Sequence, residues 1–548
     1  MPTSEPSGPR ARVIGRRAFL SGVVATAVAA GCSRDGGDDG AAMPPGGLAD
    51  EVPPETAASL PPVPTNLPGD VFALGVASGD PLPGSVILWT RLVHDPLAAD
   101  GGLPDQPLPV RWAVAADEGF ADVVASGDTV AEPALAHAVH IDAAGLEPDT
   151  WYWYRFSIGE RTSPVGRTRT APGPGDDVDR LRFAFASCQS YQDGFWPAHR
   201  HLADEDVDLL VFLGDYIYED GPRPSAVRTY ESAAPVDLAG YRRRYGEYKL
   251  DAALQAAHAH VPWVCTWDDH EVRTNYAADT PPGAGGTGGD PDFLERRAAA
   301  YQAYYEHMPL RVDRPGANGM ILHRSIGWGD LARFYVLDGR QYRNDQACGR
   351  VRDVGRGCDE MDDDRRSMLG DDQEVWLQDA LAGSEAHWNV VAQQTVVSKL
   401  ALPVGTAEVL NLDKWDGYPA ARRRLVDMLR EVDNPVVVTG DLHASCVAVI
   451  TDDPDDPASD PLVPEIVGTA ISSPFPGGVA GLAGAAAEVT PNVLYADADR
   501  RGYVVCEVTP GALTASFRYV ATTAAREAEV STGARWSVAA GDPDPRPL

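Results

Sequence analysis

The run Leu209-Leu210-Val211-Phe212-Leu213 is wholly apolar and stops at Gly214-Asp215. A strand without polar alternation must be covered on both faces, so this chain needs a sheet with further layers above and below it. The arrangement recurs. Trp263-Val264-Cys265-Thr266-Trp267 stops at Asp268-Asp269-His270-Glu271, and Val436-Val437-Val438-Thr439 stops at Gly440-Asp441-Leu442-His443. In open α/β sheets, ligands gather beyond the carboxyl ends of the strands. Three such loops from distant parts of the chain bring carboxylates and imidazoles together and predict a site for hard metal ions.

Strand and helix patterns alternate from about residue 180 to residue 510. Strands are predicted at 181–186, 209–213, 261–266, 332–337, 388–392 and 435–439, with helices at 198–205, 238–260, 371–381 and 420–432. The alternation predicts a layered α/β domain over residues 178–520, with its helices outside. The preceding segment differs. Short alternating strands at 85–90, 110–114 and 151–156, separated by Gly, Pro and Asp, predict an all-β sandwich over residues 69–172. Within it, GLEPDTWY at 145–152 resembles the turn and tyrosine corner of fibronectin type III or immunoglobulin-like modules. The linker APGPGDD at 171–177 sets the boundary. Residues 521–548 read as a C-terminal tail with a Pro-rich, disordered end.

At 548 residues the chain exceeds what one hydrophobic core usually serves. Its net charge of −34 repels polyanions, so no nucleic-acid-binding surface is expected. A background that favours Asp gives the same balance. An anionic substrate then needs local positive charge, which bound metal ions supply. Residues 1–32 read as an export signal. Gly15-Arg16-Arg17-Ala18-Phe19-Leu20 is a twin-arginine pattern, and the apolar stretch at 21–30 is too short and mild for a stable membrane anchor. The twin-arginine translocase is the implied export partner, and the expected location is periplasmic, cell-surface or secreted. Ala29-Ala30-Gly31-Cys32 resembles a lipoprotein cleavage box, with Cys32 lipidated as a membrane tether; a plain signal peptide is the alternative. Residues 33–68 form a flexible tether. Of the seven cysteines, Cys348 and Cys358 flank a Gly/Arg-rich loop and can close a local disulfide, while Cys265 and Cys446 lie in apolar runs.

Several residues carry chemistry if those loops converge. Asp215, at the end of its strand, can bridge two cations; alone it reads equally as a turn Asp. Tyr218 can reach the same site as a phenolate on a ferric ion. Cys188 follows the strand Phe185-Ala186, and a thiolate beside carboxylates and imidazole suits iron or zinc rather than calcium. Asp269 and the amide of Asn275 suit a hard cation, and His270 can hydrogen-bond a phosphoryl oxygen or protonate a leaving group. Asp268 and Glu271 support these ligands or form a surface acidic cluster. Asp441 and His443, two apart on an extended segment, share a face. No Ser or Thr is placed as a covalent nucleophile.

The segments SCQSYQDGFW, VFLGDYIYED, TWDDHEVRTNYA, YVLDGRQYRNDQ, WDGYPAAR and VVVTGDLHAS resemble the signatures of PhoD-like alkaline phosphatases, over residues 70–520. The resemblance implies a four-layer α/β/β/α metallophosphatase sandwich behind an immunoglobulin-like module, with Fe3+ and Ca2+ as cofactors. Carried over by motif, Cys188, Asp215, Tyr218 and His443 would hold iron. Asp215, Asn275 and Asp441 would hold calcium, and Arg223 would contact phosphate. Asp269 and His270 occupy the place of the Asn-His pair of wider metallophosphoesterases. Asp338 and Arg340 would stand behind the ligands or pair with each other. The implied reaction is hydrolysis of phosphomonoesters, and of phosphodiesters, by a metal-activated hydroxide or oxo group. A phospholipase D-type phosphodiesterase is the alternative within the enzyme class. The other alternative is an exported phosphate- or calcium-binding protein, which the thiolate of Cys188 argues against.

Overall fold

The computed structural model describes residues 60–548, apart from residue 99 and the segments 282–291, 317–318, 351–353, 401, 405–406, 457 and 476–489. The export segment, Cys32 and the tether as far as residue 59 lie outside the described residues.

Side chains alternate across a strand, and that alternation sorts the core into layers. Phe183 and Phe185 of the strand Leu181–Ala186, with Leu209, Val211 and Leu213 of Leu209–Leu213, enter one cluster. Ala184, Ala186, Leu210 and Phe212 enter another. The first cluster continues into Phe334, Val336, Val390, Ala392, Val436 and Val438 of a second sheet, so two sheets pack face to face. The other cluster continues into Leu202, Tyr241, Tyr245, Leu254, Tyr301 and Tyr304 of the helices Pro197–Leu202, Leu238–Lys249, Ala252–His260 and Phe293–His307. On the far side of the second sheet, Tyr335, Val391 and Val437 pack against Leu377, Leu381, Leu425 and Leu429 of Asp371–Ala382 and Pro419–Arg430. The result is the four-layer α/β/β/α sandwich.

Among the described residues the first sheet has ten strands. Its centre runs Arg501–Val508, Leu181–Ala186, Leu209–Leu213, Trp263–Thr266, with the last three parallel. The second sheet has seven, ordered Arg324–Trp328, Ala332–Val336, Trp388–Gln393, Pro435–Thr439, Pro461–Val467, Ser445–Thr451, Val493–Asp497. The parallel strands of both sheets deliver their carboxyl ends to the site.

Several elements differ from the sequence expectation. The strands Val76–Leu82, Ser85–Arg91 and Ala138–Ala144 of the amino-terminal segment extend the ten-stranded sheet, with Gly79 paired to Trp263. They also share a core with a separate five-stranded sheet, in which Val86 and Leu88 meet Val110, Tyr152, Tyr154 and Phe156. The tyrosine corner is present: the Glu147 backbone N–H donates to Tyr152 Oη at 3.0 Å, and Tyr152 is buried. The helix expected over 238–260 is two helices, because Asp251 caps the second by accepting from the N–H groups of Ala253 and Leu254. The expected disordered end is instead ordered. Val530–Ala539 pairs with Ala512–Val520, and Arg546–Pro547 pairs with Val530–Ala539 at the sheet edge. Cys348 and Cys358 form a disulfide, and Cys265 and Cys446 are buried free thiols. Among the described residues no helix is long and apolar enough to cross a membrane.

Candidate active site

The strand ends turn sharply into their loops. Cys188, Asp215, Asn275, Asp441 and His443 all have left-handed backbone, with φ of 59°, 56°, 55°, 54° and 58°. Each is a non-glycine residue in a sparsely populated region, where strain of about 1–3 kcal/mol apiece accompanies functional placement. Gly214 has φ 99°, and a Cβ there would lie 2.5 Å from Asp268 Cβ. Its missing side chain lets two ligand loops touch. The loops are tied further by the N–H groups of Cys188 and Gln189, which donate to the carbonyls of Gly214 and Asp215 at 3.1 Å.

Among the described residues three overlapping donor groups result, each with its ligand atoms within 4.8 Å of one another. They are Cys188, Asp215 and His443; Asp215, Asp269 and His270; and Asp215, Asp268, Asp269 and Asp441. Asp215 belongs to all three. Tyr218 Oη donates to Asp215 Oδ2 at 2.9 Å, lies 3.3 Å from His443 Nε2, and accepts from Ser473 Oγ at 2.7 Å. His443 Nδ1 donates to the Pro474 carbonyl at 2.9 Å, which orients the ring with Nε2 toward this cluster. His270 Nδ1 contacts Glu219 Oε2 at 2.6 Å, and the ring packs against Tyr218 at a tilt of 31°, with centroids 4.2 Å apart. Burial disfavours the charged ring. Glu219, Asp215 and Asp269 outweigh it and hold the pKa of His270 well above the ordinary histidine value.

Behind the ligands lies a wall of buried charge. Glu271 accepts the backbone N–H groups of Asp215 at 3.1 Å, Tyr216 at 2.6 Å and Asp268 at 2.9 Å, so it fixes two ligand loops at once. Arg340 is fully enclosed. Its Nε donates to Asp268, its Nη2 lies 3.2 Å from Asp269, and its Nη1 lies 2.9 Å from Asp413. Asp413 also accepts from Arg343 and Gln346, both at 2.6 Å. Asp338 does not pair with the Arg340 guanidinium; its Oδ1 accepts the backbone N–H groups of Arg340 and Gln341 at 3.0 Å and shapes the turn. The acidic patch at 268–271 is buried, so it is not a surface cluster. Replacing Asp413 by Ala strips two buried guanidiniums of their common partner, and the expected loss of stability is about 3–5 kcal/mol in urea unfolding.

The other expected site residues have these partners. The Asn275 N–H donates to Asp269 Oδ2 at 2.6 Å. Arg223 is half-exposed and pairs with Asp193 at 2.8 Å. Asp441 Oδ2 accepts from Lys414 Nζ. Sequence reasoning did not single out Glu219, Asp413, Lys414 or Ser473; Glu219 lies inside VFLGDYIYED and Lys414 directly precedes WDGYPAAR, which is the signal that was available.

The donors fit cations. One side offers thiol, imidazole, phenol and carboxylate, and the other side is all carboxylate. Asp268 Oδ2 is buried without a hydrogen-bond partner. Burial and the neighbouring Asp269 and Asp215, working against Arg340, push Asp268 up to about 7. Burial, with Asp215, drives Glu271 well above the carboxyl range. Positive ions in the centre would offset this crowding of buried negative charge.

The family description of PhoD-like phosphatases matches residues 183–517, and that of the PhoD-like phosphatase N-terminal domain matches residues 57–172. The chain belongs to the PhoD-like phosphatase family. It is 46% identical over 476 residues to alkaline phosphatase D of Bacillus subtilis (strain 168), covering 84% of this chain and 80% of that protein. A solved structure of PhoD superposes with a TM-score of 0.84 at 44% identity, covering 88% of this chain and 93% of that one. The PhoD-type chain described here is accordingly a phosphoric ester hydrolase, its substrate carries a phosphate ester, and its type implies a metal cofactor.

Proposed function

We propose that this enzyme hydrolyses phosphomonoesters, with some activity on diesters, at a site holding Fe3+ and Ca2+. Cys188, Asp215, Tyr218 and His443 would hold the iron, and Asp215, Asp269, Asn275 and Asp441 the calcium. The observation that carries the reading is the shared Asp215, common to a thiol-imidazole group and an all-oxygen group. Softer donors favour iron, and oxygen donors favour calcium. When bound, the cations draw charge from the phosphoryl oxygens and make water acidic enough to attack phosphorus.

The chain's own residues supply the rest. Glu271 and Arg340 hold the carboxylates in place with buried hydrogen bonds. Glu219 accepts from His270 Nδ1, and with Nδ1–H so engaged the charged ring carries a second proton on Nε2, which would pass to the departing alcohol oxygen. The retained charge on His270 suits that role as an acid. Arg223 would reach a phosphate oxygen after leaving Asp193.

The test is metal content by elemental analysis, paired with turnover of p-nitrophenyl phosphate and bis-p-nitrophenyl phosphate before and after chelation. Iron and calcium, with monoester turnover that is lost on chelation and regained on metal return, are expected. Faster bis-ester turnover would move the reading to a phospholipase D-type phosphodiesterase. Zinc or manganese alone would remove the assigned roles of Cys188 and Tyr218.

The proposal extends to location. Gly15-Arg16-Arg17-Ala18-Phe19-Leu20 and Ala29-Ala30-Gly31-Cys32 support twin-arginine export, followed by lipid attachment at Cys32. The domain limits 69–172 and 178–520 belong to the same proposal; the two matched family segments, 57–172 and 183–517, support them.

A further inference from the structure

We propose that Lys414 is the resident counter-cation of the Asp441 position, balancing that carboxylate in the metal-free protein and yielding it to a divalent cation. The inference deepens the metal-site reading above and rests on Asp441 as a cation ligand.

The Lys414 ammonium donates to Asp441 Oδ2 and lies 3.8 Å from Asp413 Oδ2. Asp413 is already taken by Arg340, Arg343 and Gln346, so Asp441 is the partner that Lys414 neutralises. The neighbouring cations are committed differently. Arg340 is fully enclosed by Asp268, Asp269 and Asp413 and has no room to withdraw. Arg501 gives its guanidinium to the backbone carbonyls of His443, Ala498 and Arg500. Lys414 keeps 13% of its side chain exposed, and its backbone is pinned by bonds to Asn411 and Gly417. The four-carbon stem can therefore swing while the turn stays fixed.

Asp441 shares its donor group with Asp215, Asp268 and Asp269. With no cation among them, four carboxylates repel one another, and an ammonium on one of them reduces that repulsion. A divalent cation and an ammonium on the same carboxylate repel in turn, so binding the cation displaces Lys414. The lysine thus stabilises the empty site and weakens its hold on the metal. Both effects have one cause and opposite signs, which makes them separable by experiment.

The test titrates calcium into metal-stripped full chain by calorimetry and follows thermal melting, for wild type, Lys414→Met, Lys414→Arg and Asp441→Asn. Lys414→Met is expected to bind calcium roughly tenfold more tightly, with its metal-free form melting at a lower temperature. Lys414→Arg keeps the charge and stays near wild type. Unchanged or weaker calcium affinity in Lys414→Met overturns the inference. Asp441→Asn separates the two layers of argument. If it leaves calcium binding intact, Asp441 is no ligand and the metal reading falls with the inference; if it removes calcium while Lys414→Met changes nothing, only the role of Lys414 falls. Should Lys414→Met fail to fold when metal-free, Lys414→Gln carries the same measurement.

Discussion

Asp215→Asn is expected to lower kcat/KM by about 10⁴-fold or more and to strip the centre of metal, because one carboxylate serves every donor group. Its two oxygens have different surroundings. Oδ2 accepts from Tyr218, and Oδ1 accepts the His270 backbone N–H at 3.4 Å. Burial works against its charge, but His270 and His443 outweigh it and hold the carboxyl well below the ordinary range. The charge is thus kept in a buried place, as a bridging ligand requires. Asparagine has the same shape, so circular dichroism should stay native while elemental analysis shows the metal gone. Near-normal turnover in a metal-free Asp215→Asn protein would sink the mechanism.

Gly214→Ala should be nearly as damaging by a different route. The new Cβ would meet Asp268 Cβ at 2.5 Å and the Asp268 backbone nitrogen at 2.6 Å, at a residue with φ 99°. Backbone cannot give way as a flexible side chain does, so a loss of about 3 kcal/mol or more is expected, from strain and overpacking together. Gly145→Ala is the control. Gly145 has φ 81° and nothing within 4 Å of an added Cβ, so it carries backbone strain without the clash, about 1–2 kcal/mol. Urea unfolding of both variants checks the difference. Equal losses would mean that the close approach of the two loops is not what Gly214 provides.

The strands that carry the site were legible because they are buried on both faces. Leu209–Leu213 and Pro435–Thr439 match their expected limits residue for residue, since an unbroken apolar run bounded by Gly and Asp has one economical fate. Val76–Leu82 was not legible. Its sequence VASGDPL carries Gly, Asp and Pro and resembles a turn, yet Asp80 is buried there and paired with Arg324. Contacts with a distant residue override local pattern in such a strand. The ligand loops showed themselves through motif and position. The wall behind them was legible in part: Asp268, Glu271 and Arg340 were expected as supports, but Asp413 was not, because Arg340 finds it more than seventy positions away and an isolated charge in a loop looks solvated. The carboxy-terminal strands were obscured by the Pro-rich end, although Ala512–Val520 does alternate between buried and half-buried residues.

The strand Leu181–Ala186, which aims Cys188, has Leu209–Leu213 on one side and Arg501–Val508 on the other. Its second neighbour leaves the ribosome long after the first. Every proposed ligand, from Cys188 to His443, is therefore synthesised before the sheet that positions the first of them can close. Metal capture becomes a late event in the life of the chain, belonging to whichever compartment finishes its folding. A polypeptide cut short before Arg501–Val508 would carry every proposed donor atom, with the strand that aims the first of them paired on one side only.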